Sequence, residues 1–505
     1  MTVPDTVTGS ARRPNVVLIL VDSLNRADLR CYAPEAPAPT PNVDRLACRA
    51  WRFDNHFVGS LPCMPARREL FAGFKEMLWR PWGPLEHVDR RLPRLLEAQG
   101  YATAIVTDHY HYWEEPGNGY LQSFQQTELV RGHEHDNWRG VARDDELPAW
   151  VENIERWRPG EGRRYYANIR DFASEDDFFP ARVMDAAARW LDAAPPAPFF
   201  LQIESFDVHE PFHVPEPYRS LFGDPSVYDR FTVWPPYQDV AALERFIAAT
   251  TPEELAFIRS QYLAKLAFVD ARLGAVLDVL DRRDLWRDTV VVLTTDHGHD
   301  LGERGVFGKQ YPHWDSHANI PLLIHDPDRT GEGRSVRALT QTVDLHATLA
   351  ELAGGDAEAP HARSLLPLLD GSGGGREALL YGTFGEGVCC TEGEWTIFKS
   401  PTGGAPLYAY SGLLSKSLVH AGLEVPVASG RFLPGIDYPQ WRIPVRHEPR
   451  SREDFLFDRR SDPGQRRNLW TQEPAQRRRL LELLRALIEE EGAPPEQLVR
   501  LGLAR

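Results

Sequence analysis

Three runs of consecutive apolar residues, each closed by a polar group, constrain this fold more than any other feature of the chain. They are Val16-Val17-Leu18-Ile19-Leu20-Val21, closed by Asp22; Phe199-Phe200-Leu201-Gln202-Ile203, closed by Glu204; and Val290-Val291-Val292-Leu293-Thr294, leading into Asp296-His297-Gly298. Runs this rich in β-branched and aliphatic residues, with little polar alternation, suit central strands of a parallel sheet buried on both faces. Open α/β sheets gather their ligands beyond the carboxyl ends of such strands. Asp22, His209 and Asp296-His297 all stand at or just past those ends. Taken alone, Asp22 either caps the next element or binds a cation. None of the runs is long enough to cross a bilayer.

Between them the chain reads as helices and further strands. Residues 92–99 form a helix and 102–107 a strand, followed by Asp108, His109 and His111. Residues 251–283 read as one or two long amphipathic helices started by Thr251-Pro252-Glu253-Glu254, with Ile258, Tyr262, Leu266, Val269 and Leu273 on the core face. Residues 341–355 read as a helix ending in glycine. At 505 residues the chain has room for two or three domains. The expectation is an α/β domain over 14–370, with a large, mainly parallel sheet sandwiched by helices. Gly371 to Gly375 is the best linker. Beyond it, 376–505 reads as a smaller α+β subdomain whose antiparallel sheet is flanked by a helix at 474–491.

A formal net charge of −16 argues against general binding to nucleic acid or an anionic membrane surface. The five cysteines, 31, 48, 63, 389 and 390, are sparse and form no C-x-x-C pair. Neither a disulfide framework nor a structural zinc site is indicated. Residues 1–13 lack the basic start and apolar run of a signal peptide, so a cytoplasmic location is expected. Oligomeric state has no signature in the sequence.

The most unusual stretch is Cys63-Met64-Pro65-Ala66-Arg67. Pro65 suits a first helical turn, which puts Cys63 at a helix N-terminus and Arg67 one turn on. Two readings are open: a buried cysteine ahead of a helix, or a nucleophile beside fixed positive charge, suited to an anionic substrate. C-x-P-x-R resembles the signature of the type I sulfatases, within the alkaline phosphatase superfamily. Thr295-Asp296-His297-Gly298 resembles the same family's second metal loop, and Asp207-Val208-His209-Glu210-Pro211-Phe212 its substrate-side histidine loop. Asp454 to Asp458 and Asn468-Leu469 resemble its closing motif. The likeness runs from about residue 15 to 469 and is thin across 113–195 and 400–450.

This resemblance implies a sulfuric ester hydrolase. A formylglycine-generating enzyme would oxidise Cys63 to formylglycine, whose hydrate is the nucleophile attacking sulfur of a small anionic ester. Its second hydroxyl would then expel sulfate and restore the aldehyde. Asp22, Cys63, Asp296 and His297 would hold a divalent ion, calcium or manganese, with the imidazole favouring manganese. The family usually has a second carboxylate where this chain has Ser23. Arg67, His209 and Lys309 would hold the sulfate oxygens, and His209 or Lys309 would protonate the leaving alcohol. Lys309 is one of only five lysines among 57 basic residues, which suggests a need for a compact ammonium. His109 and His111 are weaker substrate candidates, because Asp108 occupies the place of a usual lysine. A polar loop with solvated histidines is the other reading there. Residues 113–180 and 213–250 are expected to cover the site. Two rivals remain: a phosphonate monoester or phosphodiester hydrolase using the same nucleophile, and a non-catalytic anion-binding member.

Overall fold

The protein is described from a computed structural model covering residues 13–114, 117–141, 146–237, 239–413 and 427–504. A nine-stranded sheet organises it: β1 (Asn15–Val21), β2 (Trp51–Phe57), β3 (Ala102–Thr107), β4 (Gln126–Leu129), β5 (Phe199–Ser205), β6 (Thr289–Thr294), β7 (Asn319–Ile320), β8 (Leu322–His325) and β9 (Ser335–Gln341). The order is β7-β2-β8-β6-β1-β5-β3-β4, with β9 also on β2. The five strands from β6 to β4 run parallel, as the three apolar runs require, while β8 turns antiparallel to both β6 and β2.

Burial of β1 on both faces follows from its alternating contacts. Val17, Ile19 and Val21 join one core cluster, and Val16, Leu18 and Leu20 join the other. The first cluster is covered by helices Phe179–Asp192 and Pro252–Arg282. The second is covered by Cys63–Ala72 and Val343–Leu352. Residues 251–283 form one helix, capped by the Thr251 hydroxyl accepting from Glu254 N at 3.1 Å, and its five expected core residues are all buried. The helix expected from 341 starts at Val343, because Gln341 ends β9.

The smaller sheet is antiparallel across Leu379–Thr383, Val388–Thr391, Trp395–Lys399 and Phe455–Asp458, and helix Pro474–Glu490 packs beside it through Leu480, Leu484 and Ile488. It also takes in Ser60–Leu61, which pairs parallel to Leu379–Thr383, with Gly382 opposite Ser60 and Thr383 opposite Leu61. The segment entering Cys63 is therefore held by the later part of the chain. Arg376, just past the glycine linker, binds the Asp344 carboxylate of the first part (Nε to Oδ2 3.1 Å). All five cysteines are free thiols. Among the described residues, no helix is long and apolar enough to cross a membrane.

Candidate active site

Neighbouring strands β5, β1 and β6 are in register: Leu20 of β1 lies opposite both Glu204 and Thr294. That register brings Glu204, next to last in β5, together with Asp22 and Asp296, just past the carboxyl ends of β1 and β6. Cys63 is the first residue of its helix, and its Sγ lies 3.2 Å from His297 Nε2. Ligand atoms of Asp22, Cys63, Asp296 and His297 all fall within 4.8 Å of one another, and all four residues are buried. His297 Nδ1 donates to the Gly298 carbonyl at 2.9 Å, which leaves the Nε2 lone pair facing the cluster. Glycine is required at 298, since a Cβ there would meet Ser316 O at 2.4 Å and Asn25 Oδ1 at 2.6 Å.

Charge in this cluster is unbalanced toward the negative. Burial, and then the Asp296 charge, push the Asp22 carboxyl up to about 7. Burial works against the Asp296 charge as well, yet the Arg67 guanidinium bonded to it holds that carboxyl below its usual range. The Cys63 thiol is pushed well up by burial and by Asp22. Two carboxylate groups, an oriented imidazole and residue 63, short of positive charge, are a donor set fitted to a divalent cation.

Arg67 takes a different place from the one expected. Its Nη2 lies 2.9 Å from Asp22 Oδ2, its Nη1 2.5 Å from Asp296 Oδ2 and 3.2 Å from the Cys63 carbonyl, and its Nε 2.9 Å from Glu204 Oε1. The guanidinium is wholly buried and committed to three carboxylates, so it braces the cation site and is not turned to a substrate. The fixed positive charge expected beside the thiol is thereby cancelled. Ser23, in the place of the second carboxylate, takes φ +61° and donates its hydroxyl to Asp22 Oδ1 at 2.8 Å; its N–H donates to Asp296 Oδ1 at 3.2 Å.

Opposite the cluster, a cavity of about 590 Å³ is lined by Cys63, His209, Lys309, Glu134, Tyr237 and His111, among others. Lys309 Nζ contacts His209 Nε2, lies 3.3 Å from the Tyr237 hydroxyl and 3.8 Å from Glu210 Oε2. His209 Nδ1 is 3.0 Å from Glu134 Oε1 and 2.8 Å from the Glu210 carbonyl. Burial alone would lower the His209 pKa, but Glu210 and Glu134 outweigh it, against an opposing push from Lys309, and raise it. Glu134, His209 and Glu210 also bring ligand atoms within 4.8 Å, and there the Lys309 ammonium already supplies the cation. Lys265 fixes the loop by donating to the His209 and Pro211 carbonyls at 2.7 and 2.5 Å.

The two weaker histidines separate. His111 lines the cavity, with its Nδ1 2.7 Å from Glu114 Oε2. His109 is wholly buried behind it, stacked on Phe206, and does not face the cavity. Asp108 likewise turns inward, accepting the Phe206 N–H at 2.6 Å, so it shapes the β5 loop and offers no charge to a substrate. Four residues escaped the sequence reading. Glu204 was legible in principle, as a carboxylate closing a buried run. Glu210 adjoins the histidine that was singled out. Glu134 and Tyr237 lie in 113–180 and 213–250, where no motif marks them. The first of those segments also folds into two helices, Ala149–Trp157 and Glu161–Ile169, that the expected loops left out.

Comparison with known proteins agrees with this geometry. Residues 14–355 match the model of the sulfatase family. The chain is 28% identical over 406 residues to the multifunctional alkaline phosphatase superfamily protein PehA of Trinickia caryophylli, covering 71% of this chain and 77% of that one. It is 25% identical over 380 residues to the choline-sulfatase of Rhizobium meliloti, covering 71% and 72%. Among solved structures it is similar to the phosphonate monoester hydrolase of Agrobacterium radiobacter, with a TM-score of 0.67 and 21% identity across 95% of this chain and 96% of that one. The strand ends that carry Asp22, His209 and Asp296-His297, the Cys63 helix and the match over two thirds of the chain lead to one assignment: the protein is a hydrolase of the sulfatase family, in the alkaline phosphatase superfamily.

Proposed function

We propose that this chain hydrolyses a sulfate monoester of a small alcohol, with residue 63 acting after conversion from cysteine to formylglycine. One observation carries the reading. Cys63 belongs both to the buried Asp22–Cys63–Asp296–His297 cluster and to the lining of the cavity that holds Lys309 and His209. Asp22, Asp296 and His297 would hold a divalent cation, which would supply charge neutralisation and acidify a hydroxyl at residue 63. The hydrated aldehyde of residue 63 supplies the attacking oxygen. The hydrogen-bonded Lys309–His209 pair, which shares its positive charge beside Glu134 and Glu210, holds sulfate oxygens as charge builds on them and gives one proton to the leaving alcohol. Arg67 binds Asp22, Asp296 and Glu204 together and holds them oriented.

The unmodified thiol is badly suited to this work, because its pKa is raised by burial and by Asp22, leaving little thiolate. The test is mass spectrometry of the tryptic peptide containing residue 63, after co-expression with a formylglycine-generating enzyme. Activity should rise with the modified fraction; full activity with the thiol intact would overturn the mechanism. A second reading, hydrolysis of phosphonate monoesters or phosphodiesters at the same site, is favoured by the single carboxylate ending β1, with Ser23 beside it. Parallel assays with aryl sulfate, aryl phosphonate and bis-aryl phosphate rank the two.

A further inference from the structure

Four side chains that this scheme does not use form a line from the core to the cavity wall. His317 Nδ1 lies 3.0 Å from Asp300 Oδ2. His317 Nε2 lies 2.9 Å from His313 Nδ1, and His313 Nε2 lies 3.1 Å from Thr383 Oγ1. Asp300, His313 and His317 are buried, whereas Thr383 lines the same cavity as Cys63, His209 and Lys309. Its position is set by the smaller sheet, where it pairs opposite Leu61, two residues before Cys63.

The line has a direction, fixed at its inner end. Asp300 Oδ1 accepts from the Ser316 hydroxyl at 2.7 Å and from Arg304 Nη1 at 3.2 Å, as an ionised carboxylate does. Its charge keeps the His317 proton on Nδ1. With one proton on each ring, His317 Nε2 accepts from His313 Nδ1–H. His313 Nε2 then holds a lone pair and accepts the Thr383 hydroxyl proton. The hydrogen of Thr383 is committed inward, and toward the cavity its oxygen can only accept.

Resting on the proposed ester hydrolysis, we infer that Thr383 is a specificity-determining residue of the leaving-group subsite. It accepts a hydrogen bond from a hydroxyl or N–H carried by the departing alcohol, and Asp300, His317 and His313 are the positioning residues that fix its polarity. The probes are 2- and 3-hydroxyphenyl sulfate, each compared with its methoxy counterpart, which cannot donate. The hydroxy-to-methoxy ratio of kcat/KM should fall roughly 3–10-fold in Thr383→Val, the worth of one hydrogen bond, and stay near wild type in Thr383→Ser. Asp300→Asn should lower the same ratio while leaving the threonine hydroxyl in place, which simple loss of packing would not do. An unchanged ratio in Thr383→Val overturns the inference. Binding of 2- and 3-hydroxybenzyl sulfonate against their methoxy analogues, measured by calorimetry, reads the subsite without turnover. Wild-type protein that cleaves neither ester would therefore sink the proposed hydrolysis, while the sulfonate preference would still decide the role of Thr383.

Discussion

Replacing Arg67 by methionine removes the one cation that three buried carboxylates share. All four side chains are fully shielded from solvent, with contacts of 2.5 to 2.9 Å. Removing one partner of a buried ion pair costs about 3–5 kcal/mol, mostly because the other charge is left uncompensated. Asp22 can escape part of this by staying protonated, since its pKa already lies at about 7. Glu204 has less relief: among the described residues, the Tyr112 and Thr107 hydroxyls donate to it at 3.0 and 3.3 Å. We therefore expect Arg67→Met to lose about 3–5 kcal/mol in urea denaturation with EDTA present, and Arg67→Met/Glu204→Gln to lose less than the sum of the two single changes, by about 1–3 kcal/mol. Manganese should restore more stability to Arg67→Met than to wild type, because the cation then takes over the charge of Asp22 and Asp296. A denaturation midpoint for Arg67→Met equal to that of wild type in EDTA would refute the claim that this arginine is a brace.

Further expectations concern the cavity and the charged groups around it. Lys309→Ala should lower kcat on an aryl sulfate by about 10²–10³, the usual loss for a group that steadies developing charge, with the circular dichroism spectrum unchanged. Glu134→Gln removes an anion that raises the His209 pKa, so the alkaline limb of the kcat/KM profile should move to lower pH; an unmoved limb would separate Glu134 from the acid. Metal-free protein keeps Asp22 largely protonated below its pKa of about 7, so calorimetry in two buffers at pH 6 should detect proton release on manganese binding, and less of it at pH 8. His346 and His361, far from the cavity, are both pushed down to about 4 by burial. Unfolded chains bind protons there from about 6.5 downward, so the stability these rings contribute is complete above 6.5 and is lost as pH falls toward 4. The slope is about 1.4 kcal/mol per pH unit for each ring between those two values, and His361→Gln should flatten a plot of urea stability between pH 5 and 6 by nearly that amount.

Much of the fold was legible because its strongest signals are local. A run such as Val16 to Val21 fixes a strand buried on two faces, and the polar residue that ends it fixes where ligands gather. Thr251-Pro252 starts a helix whatever lies around it. What could not be read is what depends on partners distant in sequence. Arg67 looked like a cation facing a substrate because nothing local announces that Asp22, Glu204 and Asp296 meet at its guanidinium; that meeting depends on the parallel register of three strands. His109 and His111 are two residues apart, yet one is sealed behind Phe206 and the other faces the cavity. That choice is made by a short 3-10 turn over Tyr110–Trp113 and by the β5 loop, not by composition.

The same reasoning explains why the smaller sheet matters to the chemistry. A boundary at the glycine linker suggests two units that could differ independently. Yet Ser60–Leu61, the pair of residues that delivers Cys63, is a strand of the later sheet, and Thr383 beside it opens onto the cavity. Glu386, His447 and Arg450 line that cavity as well. On the proposed reading, the strand ends of the large sheet hold the charges a sulfate ester needs, while one side of the wall that meets the rest of the ester, Thr383, Glu386, His447 and Arg450, comes from residues after 376. Substitutions on that wall should therefore alter which alcohol leaves, and substitutions at the strand ends should alter whether any leaves at all. That division can be tested residue by residue, with Thr383→Val on one side and His297→Ala on the other.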